Sequence, residues 1–252
     1  MPTQPQPTSP SIRPPVHVAS TPTAFPAEQL RKPEIDMAVI EFVMSESPAR
    51  SSWYEISKRT MDICVSALAL LVLSPVFLLT ALLVRLYDLA PSLYAQTRVG
   101  RGGKLFKCYK FRTMVIDADE MKQSLANHNH HKHGVTFKMP QDPRRTRLGR
   151  ILRKTSIDEL PQFWNVLKGD MSIVGPRPII DEEAERYGPF FADYCAVRPG
   201  ITGAWQVGGR NLTSYDHRVA LDVDYVRNAT LFDDLRIVLR TVAVVLTQKG
   251  AS

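Results

Sequence analysis

The sequence predicts an α+β fold that is mainly helical and belongs to a monotopic membrane protein, one that attaches to a single face of the bilayer. Three observations support this prediction. Residues 63–84 form an apolar run broken by a proline, residues 93–116 alternate apolar and polar positions around glycines, and later segments repeat apolar positions at helical spacing. We therefore expect an N-terminal re-entrant helix hairpin, a small β-hairpin and interfacial amphipathic helices.

The N-terminal tail, residues 1–52, is predicted to be disordered. Ten of the nineteen prolines fall within residues 1–50, together with many Thr, Ser and Gln. Such a composition buries too little apolar surface to offset the entropy of an ordered chain. It lacks the basic and apolar regions of a signal peptide, and we expect only a short helix near residues 35–46. The rest, residues 53–252, is predicted to be one domain that includes a membrane hairpin at 60–87.

The apolar run at 63–84 contains 22 uncharged residues. A straight helix of that length could cross a bilayer, since each residue adds ~1.5 Å and the hydrocarbon core is ~30 Å thick. Ser74 and Pro75 interrupt the run near its middle. Because proline removes a helical hydrogen bond and collides with the preceding turn, we expect a break there, with the Ser74 hydroxyl bonding a freed carbonyl.

Basic residues flank both ends of this run, at Lys58-Arg59 and at Arg85. Because basic flanks favour the cytoplasmic side of a membrane, both ends are predicted to stay there. A re-entrant hairpin satisfies this condition. The sequence also permits two other structures, a kinked helix that spans the bilayer and a buried core helix of a soluble protein.

Residues 93–116 are predicted to form the β-hairpin, with Gly100 and the pair Gly102-Gly103 at its turn. A short helix is predicted at 117–126. The histidine-rich tract 128–133 could bind a metal, but no second group of ligands accompanies it. We therefore interpret the tract as a solvated loop.

Positive charge is concentrated in the middle of the chain. The net charge is +7, yet residues 98–170 alone contain sixteen Lys and Arg against seven Asp and Glu. This region predicts an anionic partner: a nucleic acid, an anionic lipid or a phosphorylated substrate. Within it, residues 141–153 predict either an amphipathic helix with a cationic face or a solvated face beside a small core. That segment carries five arginines, Arg144, Arg145, Arg147, Arg150 and Arg153.

Two adjacent carboxylates, Asp158 and Glu159, lie inside this basic region. One interpretation is phosphate chemistry, in which arginines bind the phosphates and a carboxylate attacks them or holds a metal. The other is a helix start, because hydroxyl side chains just before two acids are typical of a capping box. Pro161 fits only in a first helical turn, so we predict a helix over 158–167. Asp158 at its N-terminus would have a lowered pKa and would face a ready anion site.

Two glycine-containing segments follow. Gly175-Pro176-Arg177-Pro178 predicts a rigid turn, and the four glycines of residues 198–211 suit a loop that approaches a ligand closely. From residue 215 onward the chain is predicted to be helical. An apolar stripe over 231–246 fits either a core helix or a helix lying on the membrane. The three cysteines have no metal or disulfide spacing and are interpreted as free thiols in a reducing compartment.

In combination these residues resemble the bacterial sugar transferases, the monotopic polyprenyl-phosphate glycosyl-1-phosphate transferases. The resemblance covers about residues 55–250 and is strongest to the members that initiate exopolysaccharide synthesis. In place of the four-helix membrane region that longer members carry in front, we expect the disordered tail. The matching motifs occur in the family's order: Lys58-Arg59 with Asp62, Ser74-Pro75, Lys110-Phe111-Arg112-Thr113-Met114, Leu152-Arg153, Ser156-Ile157-Asp158-Glu159-Leu160-Pro161-Gln162, Gly175-Pro176-Arg177-Pro178, Arg198-Pro199-Gly200-Ile201-Thr202-Gly203 and Gly209-Arg210-Asn211.

The resemblance implies an enzyme that transfers a hexose-1-phosphate from a UDP-sugar to undecaprenyl phosphate and releases UMP. It implies a location in the bacterial inner membrane, with the active site on the cytoplasmic face, contacts with membrane lipids, and Mg²⁺ as cofactor. Asp158 would be the nucleophile on the sugar-bearing phosphate and a Mg²⁺ ligand, and Glu159 its acid/base partner. The sugar stays open between galactose, glucose and an N-acetylated hexose, and a homodimer is a further expectation.

Physical chemistry agrees with what the resemblance implies. A covalent phospho-aspartate divides the reaction into two steps, so that the soluble and the lipid substrates need not bind together. Phosphoryl transfer depends mostly on positioning and charge neutralisation, and arginine forks match phosphate oxygens. We predict four phosphate-binding side chains, Lys110, Arg112, Arg153 and Arg177, the last held in an active-site turn between Pro176 and Pro178.

Two other functions are compatible with parts of the sequence. A catalytically inactive, membrane-attached scaffold of polysaccharide assembly would share the apolar hairpin and the basic surface. The intact Asp158, Glu159 and Arg177 argue against a dead site. Nucleic-acid binding is disfavoured because aromatic residues do not alternate with the arginines, so no nucleic-acid partner is expected.

Overall fold

Two helices joined at a sharp bend begin the described chain. The computed structural model describes residues 51–124, 142–208 and 214–247, so the predicted helix at 35–46 and the histidine tract lie outside the described residues. Helix α1 (Ser52–Val72) and helix α2 (Ser74–Asp88) meet at Leu73, and their axes differ by 62°. Ser74 Oγ donates to the carbonyl of Leu71 at 2.8 Å. The break and its hydroxyl bond are therefore as predicted.

The outer face of this helix pair is apolar and exposed. Among the described helices, none by itself is both long and apolar enough to cross a membrane, while α1 and α2 meet that condition only as a bent pair. Leu68, Leu71, Leu78 and Leu82 are 62, 74, 69 and 53% exposed. A core helix of a soluble protein would bury these side chains, so that alternative is wrong. A contiguous apolar surface of this kind is typical of contact with a membrane or another protein.

The base of α1 is fixed to the rest of the protein by three polar side chains. Lys58 Nζ pairs with Asp234 Oδ2 at 2.9 Å. The two terminal nitrogens of Arg59 donate hydrogen bonds to the carbonyls of Val166 and Leu167, at 2.7 and 2.9 Å. Asp62 Oδ1 accepts the backbone N–H of Ile173 at 2.9 Å. The motif Lys58-Arg59 with Asp62 therefore attaches the helix hairpin to the rest of the protein.

The predicted β-hairpin is confirmed, but its second strand ends at Phe111 and not at residue 116. Strands β1 (Leu93–Val99) and β2 (Leu105–Phe111) pair antiparallel, with Val99 opposite Leu105. A 3-10 turn over Arg101–Gly103 joins them, and Gly102 adopts φ 67°, which glycine reaches without strain. Helix α3 (Ala118–Ser124) follows, in agreement with the helix predicted at 117–126 as far as the described residues extend.

The cationic helix begins later than the sequence predicts. Helix α4 (Arg147–Lys154) is capped by Thr146, whose Oγ1 accepts the N–H of Gly149 at 2.8 Å. Arg144 precedes the helix and forms a buried ion pair with Asp142 at 2.7 Å. Part of the arginine-rich segment is therefore fixed inside the protein.

The single helix predicted over 158–167 is wrong. Ser156 adopts a left-handed conformation with φ 57°, and residues Ile157–Glu159 form a 3-10 turn. Regular helix α5 (Gln162–Lys168) begins only after Pro161. Asp158 therefore lies before the helix and does not cap it.

A parallel pair of short strands replaces part of the predicted glycine loop. Strand β3 (Ser172–Val174) pairs with β4 (Gly200–Thr202). Between them the chain forms helix α6 (Asp181–Tyr187), a 3-10 turn over Gly188–Phe190 and helix α7 (Phe191–Ala196). Helix α8 (Ala204–Gly208) follows β4. The motif at 209–211 lies outside the described residues.

The glycines of this region let two backbone segments touch. A Cβ on Gly200 would lie 2.1 Å from the nitrogen of Gly175, and one on Gly203 would lie 2.2 Å from the oxygen of Gly175. Neither distance is compatible with a side chain. Here these two glycines serve close backbone packing, not the approach of a ligand.

Replacing Gly200 by Ala is therefore expected to destabilise the protein. The added carbon meets only backbone atoms, which cannot move aside, so we expect a loss of about 1–3 kcal/mol or more and a melting temperature lower by roughly 3 °C or more. Thermal unfolding in detergent measures the effect. Gly208→Ala is the matched control because its Cβ would make an ordinary 3.7 Å contact with Leu221. Equal melting temperatures for both variants would contradict the packing argument.

The last two helices are as predicted, with a break between them. Helix α9 (Tyr215–Asn228) and helix α10 (Leu231–Thr247) are both described. On one side α10 buries Ile237 in the main core, which also holds Val166, Val174 and Tyr225. On the other side Phe232, Leu235, Leu239 and Val242 are exposed. Helix α10 is thus a core helix that also presents an apolar outer face.

Candidate active site

The carboxylate pair lies on the 3-10 turn of Ile157–Glu159, beside the base of the helix hairpin. Ile157 and Leu160, on either side of the pair, pack on a buried cluster of Val84, Phe111 and Leu152 from α2, β2 and α4. The rings of Phe77 and Phe111 lie 4.8 Å apart in the same cluster. This packing fixes the turn against the hairpin, and the Asp158 residue between them is buried, at 7% exposed.

Burial, followed by the negative charge of Glu159, raises the pKa of Asp158 to about 6. The positive charges of Lys110 and Arg153 act in the opposite direction. The predicted lowering of this pKa by a helix dipole is wrong, because the carboxyl is buried and precedes the regular helix. Asp158 is still mostly ionised at neutral pH, and its raised pKa makes it a stronger base than a solvated aspartate.

Glu159 is held by a lysine of the β-hairpin. Lys110 Nζ lies 2.7 Å from Glu159 Oε1. Asn165 of α5, which is fully buried, sets this register: its Oδ1 accepts the N–H of Tyr109 at 3.0 Å and its Nδ2 donates to the carbonyl of Lys107 at 2.7 Å. This role of Asn165 could not be predicted from the sequence, since an asparagine in a short helix is more often at the surface.

The two other predicted cations around this strand have different surroundings. Arg153 Nε donates to Thr113 Oγ1 at 2.9 Å, and its charge acts on Asp158. Burial, followed by the charge of Arg145, lowers the pKa of Arg153. Arg112 instead donates its Nε to the carbonyl of Pro91 at 2.9 Å, in the link between α2 and β1. Lys110 and Arg153 are thus the predicted cations that act on the carboxylate pair.

Later parts of the chain fix the backbone of the Gly175–Pro178 turn. The carbonyl of Pro176 accepts the N–H of Gly200 at 2.8 Å, and the carbonyl of Pro178 accepts from Arg98 Nη1 at 3.0 Å. Arg177 places its guanidinium carbon 6.0 Å from the centre of the Trp205 ring. The turn is rigid because of these contacts as well as its two prolines.

A cavity joins this turn to Glu159. Lys110, Glu159 and Arg177, all predicted site residues, line it together with Arg98, Cys108, Gln162, Pro178, Ile201 and Gln206. The sequence did not single out Arg98, which lies on an ordinary alternating strand. The cavity has a cationic wall next to a carboxylate, an arrangement that suits a phosphorylated ligand.

The site offers two carboxylates as donors for a metal ion. In the part of the chain that the structure describes, no three His, Cys, Asp or Glu side chains gather to hold a metal. Mg²⁺ keeps several waters and usually binds proteins through one or two carboxylates plus substrate phosphates. Asp158 and Glu159 are hard oxygen donors beside a phosphate-binding wall, so they fit this manner of binding. All three cysteines are free, as predicted.

Comparison with known proteins places this site in context. Residues 53–248 match the family model described as "Bacterial sugar transferase". The chain is 49% identical over 197 residues to the "Undecaprenyl-phosphate galactose phosphotransferase" of Salmonella typhimurium, a match that covers 77% of this chain and 41% of the relative. This chain thus spans less than half of that relative's length.

Two further relatives match over more of their own length. The "Exopolysaccharide production protein ExoY" of Sinorhizobium fredii is 43% identical over 213 residues, which is 83% of this chain and 94% of the relative. The "UDP-glucose:undecaprenyl-phosphate glucose-1-phosphate transferase" of Caulobacter vibrioides is 40% identical over 205 residues, 78% of this chain and 72% of the relative. The names of the Salmonella and Caulobacter relatives specify different sugars.

Proposed function

The chain belongs to the bacterial sugar transferase family, and from this premise we propose that it transfers a hexose-1-phosphate from a UDP-sugar to undecaprenyl phosphate. The reaction releases UMP and initiates the synthesis of a polysaccharide. The observation that carries the proposal is the buried Asp158 beside Glu159, which lines a cavity together with Lys110 and Arg177. The names of the relatives support the two substrates.

In the proposed first step, Asp158 attacks the sugar-bearing phosphorus of the UDP-sugar. A P–O bond forms to the carboxylate, the P–O bond to UMP breaks, and UMP leaves with the electron pair. In the second step an oxygen of undecaprenyl phosphate attacks the same phosphorus, the bond to Asp158 breaks, and the carboxylate is restored. Glu159 accepts the proton when the lipid phosphate enters as its monoanion.

The surrounding side chains orient the phosphates and stabilise their charge. Lys110 and Arg153, which act on Asp158, would bind the phosphate under attack, and Arg177 would bind the other one. When bound, Mg²⁺ held by Asp158 and by substrate oxygens would supply charge neutralisation for the leaving phosphate. Burial of Asp158 would also keep water from hydrolysing the acyl phosphate.

The site's position supports the use of a lipid substrate. Through Ile157 and Leu160, the 3-10 turn that carries Asp158 packs on the buried cluster that contains Val84, the last residue of the apolar run. If the exposed apolar face of α1 and α2 lies among lipid chains, the carboxylates would lie near the membrane surface, where the phosphate of a lipid substrate is found. We accordingly propose attachment to the bacterial inner membrane, with the site on the cytoplasmic face.

A panel of UDP-sugars tests the proposed function. Purified full-length protein in detergent is given undecaprenyl phosphate and UDP-galactose, UDP-glucose or a UDP-N-acetylhexosamine in turn, and UMP release is measured. Release with at least one sugar is expected and identifies the substrate, whereas no release with any member of a complete panel would contradict the proposal. Radiolabelled UDP-sugar without lipid acceptor should leave label on the protein, and unlabelled protein after a single turnover would favour direct displacement.

The topology of the hairpin is separately testable. A re-entrant hairpin leaves the N-terminal tail on the cytoplasmic side, together with the active site, because the chain returns to the side from which it entered. An epitope at the N-terminus should therefore resist protease added to intact spheroplasts and be removed in inverted vesicles. Digestion in spheroplasts would instead indicate the kinked spanning helix.

A further inference from the structure

A second guanidinium lies in the cavity beside Arg177. Arg98, near the end of β1, lines the same cavity as Lys110, Glu159 and Arg177. Its Nη1 donates to the carbonyl of Pro178 at 3.0 Å and its Nη2 to Gln96 Oε1 at 2.6 Å. Each terminal nitrogen carries two hydrogens and each of these bonds uses one. The side chain is thus held in one orientation while retaining donors.

The charges around Arg98 are unbalanced toward the positive. Burial, followed by the positive charge of Arg177, lowers the pKa of Arg98, and Glu183 partly opposes this. Among the described residues that line the cavity, Glu159 is the one acid, and it is bonded to Lys110. Two guanidiniums and an ammonium therefore share a confined space with one carboxylate. Like charges held together in this way are stabilised when an anion binds between them.

The backbone keeps the two guanidiniums together. Arg98 is bonded to Pro178, the residue after Arg177, across 80 positions of sequence. The N–H of Val99 also donates to the carbonyl of Ile179 at 2.9 Å. Strand β1 and the Gly175–Pro178 turn therefore form one rigid wall that presents both side chains to the cavity.

We propose that Arg98 and Arg177 form a paired-guanidinium site for the phosphate of the nucleoside monophosphate leaving group. This inference rests on the proposed function. Lys110 and Arg153 act on Asp158 and so belong with the phosphate under attack. Arg98 and Arg177 line the same cavity as Glu159, and the Arg177 guanidinium lies near the Trp205 ring, so this pair is available to the second phosphate of a diphosphate. Two arginine forks on one phosphate bind it more tightly when its ester bond breaks and its charge increases.

Calorimetric binding to the full-length protein in detergent tests this site, with UMP, inorganic pyrophosphate and uridine as probes. Arg98→Gln is expected to weaken UMP and pyrophosphate binding by about tenfold or more and to leave uridine binding unchanged. Arg98→Lys, which keeps the charge but not the fork, should lie between. Lys104→Gln is the matched control, because Lys104 is exposed in the turn of the same β-hairpin.

Three results would overturn the inference. These are unchanged UMP binding in Arg98→Gln, an equal loss of UMP and uridine binding, or the same loss in Lys104→Gln. Failure of the proposed function looks different: the unmodified protein would bind UMP, with Arg98 needed for it, yet release none from any UDP-sugar. Conversely, UMP release by the unmodified protein together with normal UMP binding by Arg98→Gln would uphold the function and reject the site.

Discussion

Replacing Asp158 by Asn is expected to abolish UMP release and, at the same time, to raise the melting temperature at neutral pH. Loss of the proposed nucleophile should lower the rate by about three orders of magnitude or more, because an amide cannot form the proposed acyl phosphate. The gain in stability follows from the cost of burying the charged carboxylate, which is 7% exposed. A merely structural acid would show the opposite, a loss of stability with little effect on turnover.

The sign of the stability effect depends on pH. Burial and the charge of Glu159 raise the pKa of Asp158 from 3.8 to about 6, so the folded state favours the protonated form. The stability that this group contributes is present below pH ~4 and is lost as the pH rises through about 6. At pH 7.5 the uncharged Asn avoids a cost on the order of 3 kcal/mol, and near pH 4.5 this advantage should fall to about 1 kcal/mol.

Thermal unfolding at pH 7.5 and pH 4.5, combined with the UMP assay, measures both effects. Asp224→Asn is the matched control, since Asp224 is exposed on α9 and the same change of charge there should alter neither quantity. Normal turnover in Asp158→Asn would show that Asp158 is not the nucleophile. An unchanged melting temperature at pH 7.5 would mean that burial of this carboxylate costs nothing.

Local signals in the sequence were sufficient for several elements. Ser74-Pro75 breaks the apolar run because the proline and the hydroxyl act on the adjacent helical turn. The glycines near residue 102 form the turn that lets β2 pair antiparallel with β1. The helical spacing of apolar residues over 231–246 likewise predicts helix α10. Each of these features depends on residues within one or two turns of each other, which a sequence displays directly.

The environment of the carboxylates could not be predicted in this way. Asp158 resembles a helix cap in sequence, but its burial follows from the packing of Ile157 and Leu160 on Val84 and Phe111, which come from distant parts of the chain. The pairing of Arg98 with Pro178 spans 80 residues. Contacts of such long range have no local pattern. The disordered tail at 1–52, the domain boundary at 53, the Mg²⁺ ion, the lipid contacts and the homodimer stay predictions.

The parallel strands β3 and β4 were missed for a related reason. Each has three residues, too few for a recognisable alternation, and their partner contacts depend on Gly175, Gly200 and Gly203 touching through backbone atoms. A glycine needed for close packing and a glycine needed near a ligand look the same in one sequence. The strands matter for function because β3 leads directly into the turn that carries Arg177.

Replacing Lys110 by Gln is expected to move the acid side of the pH–rate profile to higher pH. The charge of Lys110 lowers the pKa of Asp158, which is otherwise raised by burial and by Glu159. Without that charge the pKa rises above about 6, so a smaller fraction of Asp158 is ionised at pH 6.5. We expect the variant to lose roughly threefold more activity at pH 6.5 than at pH 8.5, where Asp158 is mostly ionised in both proteins.

Lys107→Gln separates this effect from a general loss of charge on the strand. Lys107 lies on the same strand but is exposed and bonds Thr97 Oγ1 at 2.8 Å, so its removal should leave the profile in place. A fall in rate of equal size at every pH in Lys110→Gln would assign the lysine to substrate phosphate binding alone. A shift confined to Lys110→Gln would instead show that the positive charge of Lys110, which pairs with Glu159 at 2.7 Å, helps to keep Asp158 ionised. The β-hairpin would then contribute to catalysis through the pKa of Asp158 as well as through binding.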